Sequence, residues 1–417
     1  MDDTRPTNLL ARLLQRLERY TRTDMTYLAK GGFWLALGHL VQIGSGLILV
    51  VAFANLLPKE VYGTYQFVLS MAAALSGLTL SAMDTAITRA TARGNNGALR
   101  AGLRAQLVWS TAMILASGAV AVYYFLNGNT LLAGSFLVVG ACTPLIEAFS
   151  LGRAYLTGKK LFKETALLGL GRRFLPVVAL VSAVFLTKDA FILISIYFVT
   201  NALSAFLQYA LIVHRYRLPI EKDPELIRFS KHLSFLRTIS DIVNQADKVI
   251  VWALLGAVPV AVYTLAQLPI THMQGGLKLL RSLTLPKVSV TEFSILKETL
   301  PHKVRILVLA SCIILALYIL FAPFLFSVFF PAYPESVALS QALAFMLLSP
   351  PALYGQALIA HDKKRELYIS NLSYNALKLV LLLSLVPFYG LWGAVAALLI
   401  THLFGNISTR MLFHRAR

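Results

Sequence analysis

Long apolar blocks separated by short charged segments dominate this chain, and they predict twelve membrane-crossing helices. A run of roughly 20 apolar residues spans a bilayer as a helix. Blocks of that kind fall at about 32–56, 64–86, 106–126, 130–150, 164–186 and 190–213. A second set follows at about 234–255, 260–282, 304–330, 337–360, 366–388 and 391–413. The sixth and seventh blocks are separated by the only sizeable interior linker, 214–233, where Pro219 and Pro224 stand among charges. The chain therefore reads as an N-terminal segment 1–31, a six-helix half 32–213, the linker 214–233, a second six-helix half 234–413 and a tail 414–417. The predicted fold class is an all-α polytopic membrane protein with two six-helix lobes. Within the first segment Leu9, Leu10, Leu13, Leu14 and Leu17 oppose Arg12, Arg16 and Arg19, the pattern of a basic helix lying on an anionic leaflet.

The two apolar blocks from Ser234 to Arg281 each carry one polar stripe. Arg237, Asp241, Asn244 and Lys248 recur at spacings of four, three and four. In the next block Thr264, Gln267, Thr271, Gln274, Lys278 and Arg281 repeat that rhythm. At 3.6 residues per turn each set shares one helix face. Charge at membrane depth costs about 2.5–3.5 kcal/mol per residue, so such groups face a bundle interior or a watery cavity. The stripes predict two walls of a net-cationic cavity. The competing reading pairs Arg237 with Asp241 along one helix and lets Lys278 and Arg281 snorkel to the surface.

Composition and charge agree with a membrane protein. Of the 417 residues 57% are hydrophobic and 14% charged. The net charge of +19 does not point to nucleic acid, because the basic residues recur at every second loop rather than in one patch. With both termini inside, 34 of the 38 Lys and Arg fall on inner segments and helix ends, only Lys59 and Lys188 lie outside, and Lys248 and Lys378 lie within spans. The predicted topology is N-in/C-in. Cys142 and Cys312 sit in apolar blocks and form no disulfide or metal motif. A charged stretch precedes the first block, so no cleavable signal peptide is expected. No phosphate-binding glycine loop, HExxH or nucleophile elbow occurs, and the outer loops are too short for a catalytic domain. The chain is expected not to be an enzyme and to need no cofactor or metal.

A weak internal repeat fits the six-plus-six division. Leu56, Leu57 and Tyr65 match Leu254, Leu255 and Tyr263 at a constant offset of 198 residues. Phe53–Tyr65 (FANLLPKEVYGTY) resembles the first outer loop of bacterial polysaccharide flippases of the multidrug/oligosaccharidyl-lipid/polysaccharide (MOP) superfamily. Gln245–Ala266 (QADKVIVWALLGAVPVAVYTLA) is similar to that family's seventh-to-eighth-helix signature, and Phe330–Ser336 (FPAYPES) to its loop after the ninth helix. The resemblance implies a V-shaped pair of six-helix lobes around a central cavity. It also implies movement of undecaprenyl-diphosphate-linked oligosaccharide units across the bacterial inner membrane for O-antigen, capsule or exopolysaccharide synthesis, by alternating access. Membrane lipids, a polysaccharide polymerase and a chain-length regulator are the partners it implies.

A diphosphate cargo needs cations, and its sugars need hydrogen-bonding groups. The candidate substrate-binding residues are Arg237, Lys248, Lys278, Lys378, Arg172, Arg173, Gln267, Thr271, Gln274 and Asn244. Asp84, Asp241, Asp247 and Glu147 are the candidates for H+ or Na+ coupling, with compensation of a nearby cation as the alternative role. Gln66, Ser70, Gly77, Ser81 and Asp84 share a face that also suits close helix packing. His39, on the face of Gln42, reads as a packing residue. The rival functions are a cation-coupled multidrug exporter, a membrane glycosyltransferase and a lipid II flippase.

Overall fold

The computed structural model describes residues 25–216, 219, 224–282, 291–349 and 352–416, and all regular structure among them is helical. The N-terminal amphipathic segment lies outside the described residues, as do the side chains of His39, Lys278 and Arg281. The first half comprises α1 (Met25–Leu56), α2 (Lys59–Ser76), α3 (Met83–Ala92), α4 (Ala98–Trp109), α5 (Thr111–Leu126), α6 (Thr130–Ser150), α7 (Gly152–Gly158), α8 (Phe162–Leu186) and α9 (Ala190–Tyr216). The second comprises α10 (Pro224–Leu255), α11 (Ala257–Ser282), α12 (Phe293–Phe329), α13 (Glu335–Leu343), α14 (Ala352–Ala360) and α15 (Lys364–Arg415). Six helical stretches among the described residues are long and apolar enough to cross a membrane: 98–126, 130–158, 162–186, 190–216, 293–329 and 364–415.

α15 is two helices joined at a sharp bend. Gly390 takes φ 56 and ψ −133, a conformation closed to side-chain-bearing residues, and it reverses the chain where the sequence places a short loop. Gly256, with φ 87, makes the corresponding one-residue turn between α10 and α11.

Three predicted elements differ. The block 64–86 is broken between Ser76 and Met83, and the block 337–360 contains a 3₁₀ turn, Ala344–Leu347, followed by non-helical backbone. The linker 214–233 is shorter than expected, because α9 runs to Tyr216 and α10 begins at Pro224. Proline stands at the first position of α10, where its missing N–H costs no hydrogen bond and its fixed φ suits a helix.

The core is continuous at one end of the molecule and divided at the other. Phe53, Tyr62, Tyr65 and Phe67 of the first half join Tyr263, Phe326, Phe330 and Tyr333 of the second in one buried cluster. This is the end that the charge pattern assigns to the outside, called the outer end below. At the inner end the apolar residues separate into two clusters. One is built on Met83, Ile87, Leu99 and Tyr155 with Leu226, and the other on Leu296, Leu300, Tyr354 and Phe413.

The outer end joins the halves by several kinds of contact. Asn55 Nδ2 donates to the Phe329 carbonyl at 2.9 Å, and Lys59 Nζ lies 3.1 Å from Glu335 Oε1. The same ammonium sits 5.0 Å from the centre of the Tyr333 ring, which meets Tyr62 edge-on. Burial pushes the Tyr333 phenol up to about 12, so the ring stays neutral beneath the ammonium. At Gly63 an added Cβ would lie 1.9 Å from the Ala257 carbonyl oxygen. α2 and α11 approach there as closely as their backbones allow. One turn deeper Phe67 stacks on Trp252 with centroids 4.3 Å apart.

Candidate functional site

A cavity of about 620 Å³ opens within the first half, between α1, α6, α8 and α9. α8 brings Arg172 and Arg173 to it, adjacent residues about 100° apart around the helix, so the two guanidinium groups cover neighbouring parts of the wall. α6 contributes Glu147 and Ser150, and the short helix α7 turns Arg153 inward. α9 lines it with Tyr197, Asn201 and Gln208, and α1 with Trp34, Gln42 and Ser45. Gly46 and Gly169 on this wall have nothing within 4 Å of where a Cβ would stand, which leaves the space open. Three arginines face a single carboxylate here, so the cavity is net cationic. Glu147 lies within electrostatic reach of Arg172, then of Asp84, Arg153 and Asp241. A smaller space of about 290 Å³ adjoins it, sharing Glu147, Ser150 and Arg153 and extending to Asp84 and Thr88.

A second polar cluster forms in the other half and is closed. Asp247 of α10 accepts hydrogen bonds at Oδ2 from Tyr263 Oη at 3.0 Å and Gln267 Nε2 at 2.8 Å, both on α11. Lys378 of α15 places Nζ 3.7 Å from Asp247 Oδ1 and 3.3 Å from the Asn244 carbonyl oxygen. The side chains of Asp247 and Lys378 are 5% and 6% exposed. Lys248, half-buried, lies within electrostatic reach of both. One carboxylate thus ties together three helices.

The predicted residues therefore divide. Arg172, Arg173 and Glu147 line the open cavity. Asp247, Gln267 and Lys378 meet in the closed cluster, where Lys378 serves as the partner of Asp247 rather than as a free cation. Arg237 reaches Asp84 across the halves at 3.8 Å, both groups exposed, in place of the intrahelical pair with Asp241. Asp241 is half-buried beside Gly77, where an added Cβ would stand 3.2 Å from Asp241 Cβ. Gln274 Nε2 donates to the Met346 carbonyl, and Thr271 donates to the Gln267 carbonyl on its own helix. Asn244 is exposed, and its carbonyl rather than its side chain meets Lys378.

Sequence reasoning missed Arg153, Tyr197, Asn201 and Gln208. Tyr197, Asn201, Ser204 and Gln208 follow spacings of four, three and four, the same rhythm that marks α10, but they carry no charge to draw attention. Arg153 reads as an inner-loop residue until α7 folds it back.

Comparison with known proteins agrees with this architecture. The family profile described as "Polysaccharide biosynthesis protein" matches residues 28–291. No curated protein matches the sequence. Among solved structures, a MOP superfamily transporter from Pyrococcus furiosus, whose reversed pocket polarity is taken to suggest a different function, aligns with TM-score 0.62 and 15% identity over 93% of this chain and 95% of that one. An inward-facing multidrug resistance MATE family transporter of the same superfamily aligns at 0.64 and 15%, over 93% of this chain and 100% of that one. The MATE multidrug transporter DinF-BH, solved as a complex with a small molecule, aligns at 0.66 and 15%, over 94% and 96%. The fold is that of the MOP transporters.

Proposed function

Because the chain belongs to the polysaccharide biosynthesis protein family, we propose that it is a flippase for undecaprenyl-diphosphate-linked oligosaccharide units. It sits in the bacterial cytoplasmic membrane with twelve spans, both termini inside, and works by alternating access without being an enzyme. The observation that carries this reading is the net-cationic cavity, where Arg153, Arg172 and Arg173 face Glu147 alone. Guanidinium forks suit the oxygens of a diphosphate. Asn201, Gln208, Gln42 and Ser45 offer the donors and acceptors that sugar hydroxyls need. The polyprenyl tail stays in the bilayer beside the lobes.

In this reading the closed cluster is the coupling element. Separation of Asp247 from Lys378 would expose a carboxylate able to take up H+ or Na+. The multidrug-exporter reading is weaker, because cationic drugs require a cavity whose charge is the reverse of this one. A lipid II flippase has the same cargo chemistry and differs only in the sugar. A polysaccharide polymerase and a chain-length regulator are the proteins expected to act on the delivered units.

The test is to measure lipid-linked repeat units on the inner leaflet in a strain lacking this protein. Build-up there, with loss of surface polysaccharide and rescue by the wild-type chain, supports the flippase and reveals its sugar. Normal pools and a normal surface, combined with new sensitivity to cationic dyes, would overturn it in favour of drug export.

A further inference from the structure

Two clefts at the inner end, outside the cavity and the ion-pair cluster, share one plan. In the first half Arg100 of α4 and Arg215 of α9 line a cleft of about 830 Å³ walled by Phe206, Tyr209 and Val213. In the second half Arg305 of α12 and Arg410 of α15 line one of about 400 Å³ walled by Val304, Val308 and Tyr354. Each wall joins one arginine from each of two helices to a tyrosine and apolar side chains, with His214 added in the first cleft and no carboxylate in either. The helices also correspond in order. α4 opens the third predicted span of its half and α9 is the sixth, just as α12 is the third and the last arm of α15 the sixth. Two clefts built alike at equivalent places argue for a shared use.

The chemistry of that use follows from the surroundings. Among the described residues none of the four arginines forms an ion pair with a carboxylate. Apolar side chains stand exposed beside each cleft: Leu207 and Leu211 by the first, Leu307, Leu309 and Met411 by the second. A ligand must therefore present an anion to two guanidinium groups and hydrocarbon to the flanks. Phosphate oxygens suit the paired forks, and basic pockets between helices on the cytoplasmic side suit anionic headgroups. We infer that the two clefts are equivalent binding sites for an anionic phospholipid of the surrounding leaflet, one on each half. The inference rests on the membrane-spanning reading but not on the identity of the transported sugar.

The test uses the full chain reconstituted in phosphatidylcholine bilayers with trace spin-labelled phosphatidylglycerol or spin-labelled phosphatidylcholine. Electron paramagnetic resonance reads the fraction of label that the protein immobilises. Phosphatidylglycerol is expected to be held in excess over phosphatidylcholine. Arg305→Gln with Arg410→Gln, and Arg100→Gln with Arg215→Gln, each remove about half of the excess, and all four together abolish it. Val308→Trp and Ala210→Trp fill the clefts while keeping every arginine, so they are expected to lower the excess in protein of unchanged charge. An excess that survives both the fourfold variant and the filled clefts overturns the proposal. Displacement of the labelled lipid by free glycerophosphate as readily as by phosphatidylglycerol overturns the lipid assignment in favour of a soluble phosphate. The assay contains no lipid-linked sugar, so its failure leaves the flippase reading standing, and failure of the transport assay leaves the lipid sites standing.

Discussion

At the scale of single residues the buried pair of Asp247 and Lys378 has the largest energetic consequence. Removing one member of such a pair leaves an uncompensated charge and costs about 3–5 kcal/mol, whereas replacing both by apolar groups can be nearly neutral. Lys378→Met is therefore expected to lower the thermal midpoint of the purified protein markedly. Asp247→Leu combined with Lys378→Met should recover most of that loss, and equal destabilisation by the single and double changes would refute a paired role. The open cavity makes a different demand. On the proposed function, Arg172→Gln and Arg173→Gln would remove charge-assisted hydrogen bonds to an anionic cargo, each worth about 1.5–3 kcal/mol, so transport should fall by about tenfold or more per residue while membrane abundance is unchanged. Undiminished surface polysaccharide in the double variant would remove both arginines from the cargo path. Arg172, Arg173, Glu147, Asp247 and Lys378 were legible in the sequence because charge inside an apolar block needs an explanation, whereas Arg153, outside any block, was not. Nor were the partners that these charges take. Lys378 and Asp247 are 131 positions apart, and only the packing of α15 on α10 brings them together.

At the scale of helices the turns were legible and the mid-block breaks were not. Gly256 and Gly390 reverse the chain where short loops were expected. Both breaks occur inside apolar blocks, the first at Gly77 and the second just before Pro350 and Pro351, which disfavour helix in the residue that precedes them. Distant side chains satisfy the backbone groups that the breaks release. Thr238 Oγ1 donates to the Gly77 carbonyl, and Ser234 Oγ accepts from Ala82 N. At the second break Gln274 Nε2 donates to the Met346 carbonyl and Asn406 Nδ2 to the Leu348 carbonyl. Irregular backbone at membrane depth persists only with such partners, and a periodicity argument does not reveal them. The contact of α2 with α11 depends on Gly63 in the same way. Gly63→Val is expected to force the two backbones apart, since the obstacle is the Ala257 carbonyl rather than a side chain that could turn away. Accessibility of a cysteine placed at Tyr62, buried in the native protein, should rise in this variant, and an unchanged labelling rate would show that the helices accommodate the methyl groups. The Lys59–Glu335 pair adds a pH dependence to the same contact. The Glu335 carboxyl is held below the usual carboxylate range, first by a hydrogen bond from its own backbone N–H and then by Lys59. Its contribution is therefore present at neutral pH and lost as pH falls through and below the ordinary carboxylate value. Both partners are substantially exposed, so the effect is small, about 0.2–1 kcal/mol. Labelling at Tyr62→Cys should rise modestly on acidification, and Glu335→Gln should abolish that rise.

At the scale of the whole molecule the division of the core has a mechanical meaning. One shared cluster holds the halves together at the outer end, while the inner end carries two separate clusters, with α10 packed on the first half through Leu226, Ser234 and Thr238. Because packed cores are not continuously deformable, the halves should rotate as bodies, with the outer contacts breaking when cargo is released outside. The contacts to be broken are Asn55 with Phe329, Lys59 with Glu335 and Tyr62 with Tyr333, with stacking of Phe67 on Trp252 behind them. Beside the buried ring contacts stand one partly exposed ion pair and one side-chain-to-backbone hydrogen bond, and alternating access as proposed requires all of them to part. Permanent closure of this end should therefore stop transport without unfolding the protein. Lys59→Cys with Glu335→Cys, joined by a short thiol-specific cross-linker in a chain whose native Cys142 and Cys312 are replaced, provides that closure. Cross-linking is expected to abolish flipping of lipid-linked units in vesicles, while each single cysteine variant treated with the same reagent keeps its activity. A cleavable version of the reagent should restore flipping once it is cut. Full activity with the bridge intact would mean that the outer contacts never open, and the cargo would have to leave by a path other than between the two halves.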